Sequence, residues 1–177
     1  MKRELNGITI ECIRGNITEQ EGFAAVVNAA NAELRMGGGV AGAIHRAAGP
    51  ELTKECRKYA PIRPGEAVIT RGYRLSNKWV IHCLGPVYGM DRPENELLAD
   101  CYRNALRIAE KNEIDSIAFP SISTGFFGYP MEGAAEIAFK TVIELIPELK
   151  CVKRIRFVLY DNSALEIHER VLSKVLS

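Results

Sequence analysis

Apolar and polar residues alternate from Ile8 to Ile13, the two-residue period of a half-buried strand. Ala24 to Val27 is apolar throughout and reads as a short, fully buried strand that delivers Asn28 and Asn31 to its end. Gly42–Ala48 and Glu51–Tyr59 read as helices separated at Gly49-Pro50. Ala67–Thr70 and Trp79–Leu84 are β-rich runs with a turn at Ser76-Asn77 between them. A longer helix is expected from about Pro93. There Leu97, Leu98, Cys101, Tyr102, Ala105, Leu106 and Ala109 recur at helical spacing, with charges on the opposite face. Ser116–Phe119 is the next buried strand, Met131–Ile146 a helix, Arg154–Leu159 a strand, and Ala164–Leu176 a closing amphipathic helix. Strands alternating with helices imply parallel strands covered on both faces. The expected fold is α/β, one three-layer α/β/α domain spanning residues 1–177.

Two glycine-bearing loops fall where a strand hands over to a helix. The first follows Val26-Val27-Asn28-Ala29-Ala30-Asn31 and reads Gly37-Gly38-Gly39-Val40-Ala41-Gly42. The second is Pro120-Ser121-Ile122-Ser123-Thr124-Gly125-Phe126-Phe127-Gly128-Tyr129-Pro130. Glycines let successive backbone N–H groups point at one anion, and a helix starting beyond them adds its positive dipole end. In parallel sheets ligands bind beyond the carboxyl ends of the strands. Both loops lie there, as does Tyr160-Asp161-Asn162, so the three are expected to converge and to hold a diphosphate without lysine.

Composition narrows the partners. Over 177 residues, 47% hydrophobic and 25% charged residues with a net charge of +1 describe a soluble globular chain, not an electropositive nucleic-acid surface. No membrane span or signal peptide is expected. The five cysteines are scattered without a CxxC pair. They argue against a zinc site or disulfide framework and for a reduced, cytoplasmic location. Cys12, Cys83 and Cys101 read as small buried hydrophobes. His82, mid-strand among apolar residues, reads as a core histidine, and His168 as a surface residue of the last helix.

The first loop matches GxGxxG, but that dinucleotide fingerprint needs its first glycine at the strand end and an acidic residue ending the next strand. Ala29 to Met36 intervenes here, and Glu51 and Glu55 lie in a helix. A P-loop fits less well still, because no GK[ST] follows the glycines.

Asn28-Ala29-Ala30-Asn31, Gly37-Gly38-Gly39-Val40, Ala43-Ile44-His45-Arg46-Ala47-Ala48-Gly49 and Ser123-Thr124-Gly125-Phe126-Phe127-Gly128-Tyr129-Pro130 together resemble the macrodomain family, in particular its MacroD-like branch. The resemblance runs from Gly15 to the final helix. It implies a mixed, mostly parallel sheet between helices that binds ADP-ribose at the strand ends. It also implies hydrolysis of mono-ADP-ribose esters on acidic side chains of proteins, or deacetylation of O-acetyl-ADP-ribose. No cofactor, metal, membrane or specific nucleic acid is implied, and a monomer is expected.

The same resemblance suggests the residue roles. Asn16 and Ile17 would lie at the adenine end, with Asn16 where the family usually has aspartate. The Asn16 amide oxygen would still accept from the adenine amino group, by a neutral bond of about 0.5–1.5 kcal/mol in place of about 1.5–3 for a charged one. Discrimination against hypoxanthine should relax; alternatively, Asn16 only caps a turn. Asn31 would bond the distal ribose, and Asn28 would bind or brace the loop backbone. Gly37, Gly38, Gly39 and Val40 would face Ser123, Thr124, Gly125 and Phe126 across the diphosphate. Phe127 would pack on the distal ribose, leaving Asn31, Gly39 and Phe127 around the reacting carbon. Tyr160 would cover the adenine, or it is a core or rim tyrosine. His45 could approach the distal ribose. Ala41 stands where many MacroD-like hydrolases carry aspartate, so a substrate phosphate would have to hold the attacking water.

Overall fold

A computed structural model describes residues 1–177. The strands are β1 (Lys2–Leu5), β2 (Ile8–Arg14), β3 (Ala25–Ala29), β4 (Ala67–Arg71), β5 (Trp79–Cys83), β6 (Ser116–Phe119) and β7 (Arg154–Leu159). The helices are α1 (Gly39–Ala48), α2 (Pro50–Cys56), α3 (Glu94–Lys111), α4 (Met131–Leu145) and α5 (Asn162–Leu176). All strands join one sheet in the order β1-β2-β7-β6-β3-β5-β4. Its five central strands are parallel, and antiparallel partners close both edges. This is the mixed, mostly parallel sheet that the macrodomain resemblance implied.

Strand residues divide by parity. Val26, Val80, Ala118 and Val158 pack with Ile44, Ala48 and Leu52 of α1 and α2. Val27, Ile81, Phe119 and Phe157 pack with α3, α4 and α5 on the other face. Phe157 stacks on Phe119 at 5.5 Å and meets the edge of Phe139 at 4.7 Å. Each such ring stabilises the fold by roughly 1.5–3 kcal/mol through burial alone. Because β2, β7, β6, β3 and β5 run parallel, their carboxyl ends share one edge of the sheet, and the loops that follow them gather there.

Three expectations change. β1 was absent from the apolar pattern because Lys2, Arg3 and Glu4 are exposed on an edge strand. Its signal was Asn6-Gly7, whose positive φ values of 51° and 82° make the tight turn that folds β1 onto β2. His168 is not on the surface: it is 1% exposed, with Nδ1 2.8 Å from the Ala164 carbonyl and its ring edge-on to Phe139. α2 ends at Cys56, short of Tyr59. Cys12, Cys56, Cys83 and Cys101 are buried free thiols. No helix is long and apolar enough to cross a membrane.

Candidate functional site

At the carboxyl edge of the sheet a cleft of about 460 Å³ opens between the two glycine loops. One wall comes from the end of β3 and the start of α1. Ala30 N–H donates to the Cys83 carbonyl (2.9 Å), which holds the chain to β5 as it leaves the sheet. The Asn31 carboxamide then clamps its own loop. Its Nδ2 donates to the Arg35 carbonyl (2.8 Å), and its Oδ1 accepts from Arg35 N–H (3.0 Å). Gly39 enters α1 at φ +54°, which costs a glycine little. The preceding Gly38 has no side chain to cap the helix, and the first turn holds no acidic residue.

The other wall is the turn after β6. Tyr129 N–H returns to the Ser123 carbonyl (2.8 Å) and Gly128 N–H to the Gly125 carbonyl (3.0 Å), folding the loop on itself. Thr124 Oγ1 donates to the Ser121 carbonyl (3.0 Å). Ser123 is buried at φ +66°, its hydroxyl without a protein partner. It sits against Gly85, where an added Cβ would overlap Ser123 Oγ and come within 2.7 Å of Ile122 Cγ2.

The outcome is a matched pair of donor arrays. The amide N–H groups of Gly37 through Ala41 and of Ser123 through Phe127 donate to no acceptor in the protein. Amides left free at a helix start and in a facing turn form an anion cradle. No Asp, Glu, His, Lys or Arg lines the cleft. A depression of about 550 Å³ between β4 and α3 contains neither a glycine nor a helix start.

Of the residues singled out in the sequence, Asn31, Gly38, Gly39, Val40, Ser123, Gly125, Phe126 and Phe127 line this cleft. Gly37 and Thr124 belong to the same loops without lining it. Asn28 is corrected: it does not touch the cleft or brace its loop. It is fully buried, and its Nδ2 lies 3.0 Å from His82 Nδ1. Strand parity decides this, since Asn28 shares a face with Val26, beneath α1 and α2. Asn16 is corrected in part. Its Oδ1 accepts from both Thr18 N–H (2.9 Å) and Thr18 Oγ1 (2.7 Å), so it caps a turn and offers that oxygen to nothing else. Ile17 is buried in the cluster against which Val40 and Phe127 pack. Tyr160 is 89% exposed at the end of β7.

His45 lies beneath the cleft rather than in it, with Nδ1 3.1 Å from Thr53 Oγ1 and Nε2 without a protein partner. Burial holds its pKa below the usual histidine value. His82 is a core histidine, pushed down to about 3 by burial and then by His45. Ser121 and Ile122 of the second glycine loop also line the cleft, and sequence reasoning passed over Gly85, which lines it as well. The available signal for Gly85 was a glycine placed directly after a strand-like run.

The macro domain family model matches residues 27–138, and this chain belongs to that family. The chain is 46% identical over 170 residues to an O-acetyl-ADP-ribose deacetylase of Salmonella typhimurium, covering 93% of this chain and 94% of that protein. It superposes on the Oceanobacillus iheyensis macrodomain solved with ADP at a TM-score of 0.95. Identity there is 40%, over 99% of this chain and 96% of that one. A Trypanosoma brucei macrodomain in complex with ADP-ribose gives 0.85 at 37% identity, over 91% and 68% of the two chains.

Proposed function

We propose that the chain binds ADP-ribose in this cleft and hydrolyses its acyl esters. Its substrates are O-acetyl-ADP-ribose and proteins carrying mono-ADP-ribose on aspartate or glutamate. The observation that carries the reading is the pair of facing amide arrays, which suit a diphosphate and need no cation. Gly38, Gly39 and Val40 donate from one side, and Ser123, Thr124, Gly125 and Phe126 from the other. Asn31, Gly39 and Phe127 surround the distal ribose. The deacetylase relative and the neighbours solved with ADP and ADP-ribose support the same assignment.

The walls hold no general base, so the chemistry rests on placement. For an ester at the anomeric carbon, a water held by a substrate phosphate adds its oxygen to that carbon. The bond to the acyl oxygen breaks and the carboxylate leaves with the electron pair. The water's proton passes to the phosphate or to solvent. A second reading, a module that binds ADP-ribose without turnover, is favoured by one observation: Ala41 lines the cleft where a carboxylate would activate water.

Calorimetry with ADP-ribose beside AMP and ADP tests the binding. Tighter binding of ADP-ribose than of either fragment is expected, and no heat with any of them removes the reading. Release of acetate from O-acetyl-ADP-ribose, or of ADP-ribose from glutamate-modified protein, under single-turnover conditions then separates enzyme from reader.

A further inference from the structure

The loops after β2 and β7 stand next to each other on the carboxyl edge, and Gly15 N–H donates to the Leu159 carbonyl at 2.9 Å to join them. Along that edge β2 lies two strands from β6, about 10 Å from the second glycine loop, which is a nucleoside's length. Here the structure leaves two groups free. One is the ring of the exposed Tyr160. The other is Nδ2 of the exposed Asn16.

The orientation of the Asn16 amide is settled by chemistry. A main-chain N–H can only donate, so the atom 2.9 Å from Thr18 N is the amide oxygen. The Thr18 hydroxyl takes the second lone pair of that oxygen at 2.7 Å. What Asn16 turns outward is therefore a donor, with no acceptor beside it. An aromatic face next to one fixed polar group is the arrangement that reads a planar base, by stacking and by its edge.

We infer that Asn16 sets the nucleobase preference of this chain, and that the site takes a 6-oxopurine at least as well as adenine. The inference rests on the ADP-ribose reading of the cleft. Hypoxanthine presents a carbonyl oxygen at the position where adenine presents an amino group. The Asn16 NH₂ donates to the first and meets only another donor on the second. One neutral hydrogen bond gained or lost corresponds to roughly three- to tenfold in affinity.

Calorimetry with ADP-ribose and with IDP-ribose, its hypoxanthine counterpart, tests this on the wild type and on Asn16→Asp. The substitution keeps one oxygen for Thr18 and turns an acceptor outward. We expect the wild type to bind IDP-ribose as tightly as ADP-ribose or tighter, and Asn16→Asp to move the affinity ratio toward ADP-ribose by roughly tenfold. Tyr160→Ala should weaken both nucleotides by the same factor, because stacking does not sense the group at that carbon. A wild-type preference for ADP-ribose beyond about twofold, or a ratio unmoved by Asn16→Asp, overturns this inference and leaves the cleft assignment standing. Binding of neither nucleotide removes both.

Discussion

His82 of β5 and Asn28 of β3 meet across paired strands, with the histidine Nδ1 3.0 Å from the asparagine Nδ2. With Nδ1 accepting, Nε2–H donates to Thr70 Oγ1 at 2.9 Å, and that hydroxyl donates to the Arg71 carbonyl at 3.1 Å. A neutral ring is thus built into the core beneath α1 and α2. Asn28→Ala leaves Nδ1 buried and unpaired, which should cost about 1–3 kcal/mol in urea unfolding. Affinity for ADP-ribose, measured on the folded fraction, should stay within about twofold, because this side chain touches no wall of the cleft.

Acid should destabilise the protein through the same ring. The unfolded chain takes up a proton on His82 near the ordinary value of 6.5, whereas the folded one resists until about 3. Stability is therefore full above pH 6.5 and falls as pH drops through the window down to about 3. For this one group the slope is at most about 1.4 kcal/mol per pH unit. Urea midpoints at neutral pH and at stepwise lower values will show it. His82→Gln should give a shallower slope, whatever its starting stability.

Gly85→Ala would press a methyl group onto Ser123 Oγ and Ile122 Cγ2. The second glycine loop must then shift, at about 1–3 kcal/mol of stability. Its free amides would no longer point into the cleft together. We expect calorimetry to show at least a roughly tenfold weaker grip on ADP-ribose, a far larger change than one methyl at an open position would make.

Asn31→Ala should slow ester hydrolysis by more than it weakens binding. The residue lines the cleft on the side where the proposed reading puts the distal ribose, and its carboxamide also clamps the Arg35 backbone. Single-turnover rates set beside calorimetric affinities decide the point, and equal losses in both would make Asn31 a binding group alone.

Ala41→Asp should add an ionisation that the wild-type pH–rate profile lacks, since it puts a carboxylate on a wall with no titratable side chain. Its position in the first turn of α1 favours the charged form, so the new limb should appear on the acidic side.

Much of this was legible in the chain because the relevant signals are local. β6 and β7 begin and end where the apolar runs do, and both glycine loops fall between a buried strand and a helix. Asn28 and Asn31 look alike in sequence, and their separation is a matter of register. Asn28 is still inside β3 and pleats toward α1 and α2, whereas Asn31 has left the sheet. The alternation with Val26 carried that information. The bonding of Asn16 could not be read, because its side chain had to choose between a turn and a ligand. Lys2 to Leu5 hid as a strand since no core face marks it, and only Asn6-Gly7 pointed to the hairpin.

A grip made of peptide groups is indifferent to which side chains surround it. Residues at the mouth, such as the fully solvent-facing Phe126, can be exchanged without removing a donor from the floor. The scaffold is therefore suited to redesign toward new acyl or polypeptide clients while its hold on the nucleotide is inherited intact.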